Sequence, residues 1–426
     1  VTTNDDARRG DERGGGAIHG EVAVLAAIVA LSASSSCSGG TSMPDASLDA
    51  NEAATSALIR EVLAHEGEHL ALASYRDLSA ELAALEAATA TLAAEPTDAN
   101  RLRAQAAFER VMDANERAEI FQLGPAAPVG ATPEAAGLRD EYQPWPLVNA
   151  CRIDMETVEG SYASEALLSA EALNVRGLAS LEYLLFTQSA ATVCSPTTSI
   201  VTDGSWAALG EAEVWSRRAR YAHTATVLAR RTVDEVVVRW EGGFLERLRT
   251  AGAGSATFSS AREGLNALSD ALFYVYEPLL DLKLGRPAGR YTCVTASCPD
   301  DVESPWRDAA ASDGEVGGSL RALRVNLEAF EDAYLGRVGG VEGRGFDDLV
   351  RHFGAEDLDR RLEEAIDRAQ AALDAIEGPL RSAVVARNAE VVLAVDAIDA
   401  LTTLMKDELV PLLQLALPMR ADGDND

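Results

Sequence analysis

Lysine is almost missing from this chain: of the 37 Lys and Arg among its 426 residues, only Lys283 and Lys406 are lysine. With Ala and Gly abundant, that bias reads as codon usage rather than a device. Aromatic residues are 5%, too few for an ordinary all-β protein and sufficient for an Ala/Leu-rich helical one. Positive charge is scarce against 68 Asp and Glu, leaving a net charge of -31. That balance excludes a nucleic-acid partner, which needs a basic face, and docking on an anionic lipid surface. Phosphate-loop, dinucleotide and G-x-S-x-G nucleophile signatures are absent. No apolar run reaches the roughly 20 residues that cross a bilayer. What is present is 47% hydrophobic residues, enough for a sizeable core in two or three domains of about 100–200 residues each.

The N-terminal stretch reads as an export signal. Arg8, Arg9 and Arg13 precede the apolar run Val22–Ala33, and Ser34-Ser35-Ser36-Cys37 follows. Residues 1–36 are expected to be removed. Cys37 stands where a lipoprotein signal is cut and acylated, although Ser34 occupies a position usually held by Leu. Lipidation at Cys37 and plain secretion are both open, and any membrane attachment would be through that anchor alone. Residues 37–50 then form a flexible tether. Four further cysteines in an exported chain imply two disulfides. Cys293 and Cys298 lie close together in a Gly/Pro-rich loop and pair locally, leaving Cys151–Cys194.

The rest reads as helix. Asn51–Ala94 carries apolar residues mostly three or four apart and stops at Pro96, after which Thr97 or Asp98 can cap a helix running to Gln122. Helices are also expected at 147–161, 166–188, 206–249 (with a break at Gly242-Gly243), 259–284, 318–335, 357–376 and 380–417. Gly252-Ala253-Gly254-Ser255 is the best domain boundary. The expectation is an all-α protein of two tandem helical bundles, residues 51–250 and 251–418, with an acidic tail at 419–426.

Two motifs carry candidate chemistry. His65-Glu66-Gly67-Glu68-His69 fits H-E-x-x-H, in which two imidazoles on one helix face hold Zn²⁺ while a Glu activates water. Asn115-Glu116-Arg117-Ala118-Glu119 offers a third ligand from the next helix. Against a zinc peptidase stand the lack of a readable sheet and Gly67 inside the motif. The second motif is Arg176-Gly177-Leu178-Ala179-Ser180-Leu181-Glu182. Glu182 follows Leu178 by four, beside a buried face, and so needs a partner, a proton or a ligand. Arg152 is the expected partner, with Asp154 nearby.

RGLASLEYLLF at 176–186 resembles the signature region of the imelysin family, whose hallmark is G-x-H-x-x-E ahead of an apolar helix. Further blocks resemble that family in the same order: Phe121–Pro125, Leu138–Asp140, Trp145-Pro146, Cys151–Asp154, Leu282–Pro287, Gly345–Asp348 and Leu417-Pro418. The resemblance implies an exported, two-bundle bacterial protein of the periplasm or outer envelope. Imelysins were named as metallopeptidases, and many relatives are linked to iron uptake. The family's metal site uses the hallmark His and Glu. Gly177 and Glu182 match, but the His position is Ala179, which offers no ligand. A compensating set of His65, His69 and Glu182 requires the first helix to pack against Glu182. The expected function is therefore non-catalytic: metal-associated (iron, zinc or copper) or bound to an envelope partner in iron acquisition. The rivals are a zinc peptidase built on His65 and His69, and a metal-free scaffold on a lipid anchor.

Overall fold

A computed structural model describes residues 46–290, 297–312 and 314–417, with the backbone alone for 46–50. The export signal, Cys37, the tether, Cys293 and the acidic tail lie outside the described residues, and the expected Cys293–Cys298 pairing with them.

Helix α1 (Ala46–His65) passes through a π-helical turn, Glu66–Ala71, into α2 (Leu72–Ala94). Pro96 ends this run, and Thr97 accepts a hydrogen bond from Asn100 N to cap α3 (Asp98–Glu119). After a long loop come α4 (Ala150–Glu159) and α5 (Leu178–Phe186), then α6 (Glu211–Arg239). The last of these meets its break where expected: Gly243 has φ 142°, outside helical space. The second run comprises α7 (Ala261–Leu272), a π-helical segment (Tyr276–Gly285), α8 (Pro305–Ala310), α9 (Gly318–Tyr334), α10 (Phe346–His352), α11 (Glu356–Asp374) and α12 (Ala389–Leu404). Among the described residues there is no strand, only an isolated bridge between Val338 and Val341.

Two expected helices are shorter than their apolar pattern suggests. The expected 166–188 helix is split into a short helix, Glu165–Ser169, a 3-10 turn, Leu173–Val175, and α5, which Gly177, φ 78°, starts only at Leu178. The expected helix 380–417 is interrupted at Arg387, φ 52°, and Asn388 caps α12.

The described residues from Ser47 onward form one compact unit. Helix α2 packs between α3 and α6, and α11 against α12. The two runs of helices meet where α9 lies on α3 and α8 on α5. Leu82, Phe108, Leu181, Leu279, Leu323 and Ile398, drawn from both runs, belong to one continuous apolar core. At about 25 cal/mol per Å² of apolar surface removed from water, that contiguous core is the main force holding the runs together. No helix among the described residues is long and apolar enough to cross a membrane.

Candidate functional site

The junction of the two runs buries several charged groups, among them Glu116, Glu119, Glu182, Lys283, Glu303 and Arg307. On α5, the family-like motif is built around a glycine that has no substitute. Gly177 sits in the left-handed region, and a Cβ there would lie 2.6 Å from the Tyr142 carbonyl oxygen. Arg176, beside it, pairs with Glu141 at 2.8 Å. Glu182 points across the junction, and its Oε1 accepts from Trp306 N at 2.9 Å and Arg307 N at 3.1 Å, the first turn of α8. Burial raises its pKa to about 7, partly offset by the Arg307 guanidinium and these backbone donors. Arg307 in turn makes a two-pronged contact with Glu109 on α3 and donates to Ser304 Oγ.

Glu182 is thus a clamp between α5 and α8, and its partners are the backbone N–H groups of Trp306 and Arg307 rather than the expected Arg152. Arg152 is spent within its own neighbourhood on Glu156, four residues along α4, with Glu159 and Glu171 nearby. Asp154 is engaged by Tyr183 Oη, Val193 N and the buried Arg218. That network anchors the loop closed by the Cys151–Cys194 disulfide.

The histidine motif lies elsewhere. His65 Nε2 is 2.7 Å from the Gly336 carbonyl oxygen, and its ring centroid is 5.1 Å from that of His69, which is half exposed beside Glu68. Glu66, the residue a zinc peptidase would use on water, is wholly buried, with no hydrogen-bond partner on either oxygen. Burial, then Asp347 and Asp332, hold its pKa well above 4.5. Glu182 does not converge with the two histidines: among the described residues, one group of three or more metal-ligating side chains comes together, and it contains none of them.

That group is Glu116, Glu119 and Glu303, all buried, with one oxygen from each within 4.8 Å of the others. At its centre is Lys283 Nζ, 2.5 Å from Glu116 Oε2, 3.1 Å from Glu119 Oε2, 2.9 Å from Glu303 Oε2 and 3.0 Å from Asn326 Oδ1. Arg139 grips the other Glu119 oxygen at 2.6 and 3.1 Å, and Tyr274 Oη donates to Glu119. Asn326 Nδ2 donates to the Glu116 carbonyl oxygen at 2.7 Å, tying α9 to α3.

Although burial opposes its charge, Lys283 is held well above its usual 10.5 by the three carboxylates. Burial pushes Glu119 up, but Lys283 and Arg139 outweigh it and bring the group down to about 2. Glu303, pushed up by burial and then by Glu116, reaches about 8 despite Lys283, and Glu116 is raised by burial. Two cations therefore balance two carboxylates, and the third carboxyl keeps a proton near neutral pH.

Glu303 also lies in the wall of a cavity of 680 Å³, with Trp145, Trp306, Asp300, Asp301 and Arg381. Asp301 is paired with Arg286 and Asp300 with Arg381. Because Trp306 donates its N–H to Glu182, the motif on α5 directly positions one side of this cavity. Glu116 and Glu119, offered by the sequence as a third ligand beside His65 and His69, are instead gathered around Lys283. Nothing in the sequence marks Glu303, and the signal for Lys283 is its rarity in an arginine-rich chain.

These features define an all-α protein whose two helical runs are joined by a buried carboxylate–ammonium centre and a glutamate clamp. The chain belongs to the Imelysin family, whose model matches residues 71–407. Its fold is similar to that of a protein from Parabacteroides distasonis with the provisional name iron-regulated protein A precursor, at TM-score 0.63 and 16% identity, covering 84% of this chain and 95% of that one. An imelysin-like protein from Psychrobacter arcticum 273-4 is similar at TM-score 0.61 and 15% identity, covering 84% and 96%. At such identities the likeness is one of fold. No curated protein matches the chain.

Proposed function

We propose that this is a non-catalytic binding protein of the bacterial cell envelope, metal-associated or partner-binding, that serves iron acquisition. The observation that carries the reading is the state of the motif: with Ala179 in place of the histidine, Glu182 accepts from two backbone N–H groups of α8, near the charge of the Arg307 guanidinium. It holds a cavity wall in place instead of presenting a ligand. The cavity beside it, walled by two indoles and by Asp300, Asp301 and Glu303, is the binding site in this reading. Any cation entering there competes with Arg286 and Arg381 for the two aspartates. The iron connection is supported by family membership and by the iron-regulated name carried by one structural relative. Export is supported by the Cys151–Cys194 disulfide, a bond of oxidising compartments.

The test is metal analysis of the protein followed by titration with Fe²⁺, Zn²⁺ and Cu²⁺. Wild type is compared with Asp300→Asn/Asp301→Asn and with His65→Ala/His69→Ala. The reading expects affinity to fall about tenfold or more in the aspartate variant and to be unchanged in the histidine variant. Loss confined to the histidine variant would move the site to α1 and restore the peptidase rival. Absence of metal binding throughout would leave partner binding as the function, to be sought by pull-down from the envelope.

A further inference from the structure

The Lys283 centre has the construction of a cation site. Three carboxylates and an amide oxygen, from α3, α9 and the segment before α8, converge on one point where a single positively charged nitrogen sits. Glu303 Oε1, though buried, has no hydrogen-bond partner, so the donor set is larger than an ammonium uses. Oxygen-only donors of this kind select hard divalent cations such as Ca²⁺ and Mn²⁺ over softer ones. Ligand oxygens within 4.8 Å of one another also suit the span across such an ion, whose oxygens stand at about 2.1–2.6 Å.

Charge points the same way. Three buried carboxyls surround Lys283, and the second cation of the centre, Arg139, grips Glu119 alone of the three. We infer that this centre is a divalent-cation site with a tethered ammonium in the ion's place: Lys283 closes it in the wild-type chain, and removing that side chain opens it to a hard divalent cation bound by Glu116, Glu119, Glu303 and Asn326. The chain thus carries its own cation here, and any metal it binds in the wild-type state belongs elsewhere. The cavity reading shares Glu303 with this centre, but it is tested at Asp300 and Asp301 and this inference at Lys283 and Glu116, so either can fail alone.

The test uses the intact protein and Mn²⁺ as the probe. Wild type, Glu116→Gln, Lys283→Gln, Lys283→Met and Lys283→Gln/Glu116→Gln are each purified with and without Mn²⁺ during folding. They are then compared by elemental analysis, by the Mn²⁺ electron-spin signal and by thermal unfolding. The expected result is about one equivalent of Mn²⁺ at this centre in a Lys283 variant and none there in wild type. Melting temperature should rise on Mn²⁺ addition in that variant only, with affinity lost at least about tenfold when Glu116→Gln is added. If neither Lys283 variant gains Mn²⁺ or Mn²⁺-dependent stability, including the case where both stay unfolded with Mn²⁺ present, the inference is overturned. It is equally overturned if wild type binds Mn²⁺ and Glu116→Gln abolishes that binding.

Discussion

Two of the places where the chain buries acid are opposites. At the junction of the helical runs, Glu116, Glu119 and Glu303 surround an ammonium and are held by Arg139, Asn326 and Tyr274. At the π-turn of the first helix, Glu66 is as deeply buried and has no cation and no hydrogen bond, with Asp347 and Asp332 as its charged neighbours. The first place is an ionised network that costs much to break. The second is a neutral acid that costs little to replace. Burial of a carboxyl is therefore not informative by itself; what decides its state is whether a cation is buried with it.

The largest effect that would sharpen this contrast is loss of the ammonium. Lys283→Met leaves three carboxyls around a methyl group and should destabilise the protein by about 3–5 kcal/mol in denaturant unfolding at neutral pH without added metal. A loss under about 1 kcal/mol would dissolve the distinction between the two places. Removing the disulfide by Cys151→Ser/Cys194→Ser should cost about 3 kcal/mol, since it closes a loop across a separation of 43 residues. Gly177→Ala, which forces a Cβ against the Tyr142 carbonyl oxygen at a positive φ, should cost about 2 kcal/mol and loosen the α5–α8 contact. The smallest effect belongs to the other place: Glu66→Gln should change stability by less than about 1 kcal/mol at pH 5.

The pH dependence separates the two more finely. Glu66 has a folded pKa above its unfolded 4.5, so the folded state holds the proton more tightly. Stability is then highest below pH 4.5 for this group and declines as pH rises above it, and Glu66→Gln should remove that decline. Glu303 behaves with the same sign between 4.5 and about 8. Glu119 has the opposite sign: its folded pKa of about 2 gives stability present above 4.5 and lost as pH falls toward 2. Unfolding curves from pH 2 to 9 for wild type, Glu66→Gln, Glu303→Gln and Glu119→Gln would check all three directions.

The helices were legible because their signals are local. Pro96 and Thr97 end one helix and start the next, and Gly242-Gly243 breaks α6 where the chain was expected to break. Apolar periodicity overran at 166–177, where the pattern continues but Gly177 does not. The π-turn at Glu66–Ala71 was not legible, since Gly67 signals weakness in a helix without saying that an extra residue is accommodated. The centre was half legible. Glu116 and Glu119 share a helix and could be noticed together, but Lys283 and Glu303 meet them only through tertiary packing across more than 160 residues. Spacing rules see one face of one helix; this centre is assembled from several elements. Glu182 was rightly marked as needing a partner, while the partner itself, Arg307, lay beyond the reach of any local pattern.

The scarcity of lysine makes the central claim directly measurable. With only Lys283 and Lys406 in the chain, ¹³C-labelled lysine yields two side-chain signals, assigned by Lys406→Arg. Their pH titration by nuclear magnetic resonance follows the Lys283 ammonium itself. The account predicts that the Lys283 signal keeps its charged-form position through and beyond pH 10.5, as the three surrounding carboxyls require. Titration of Lys283 below 10.5, the behaviour of a buried amine without its carboxylates, would contradict it.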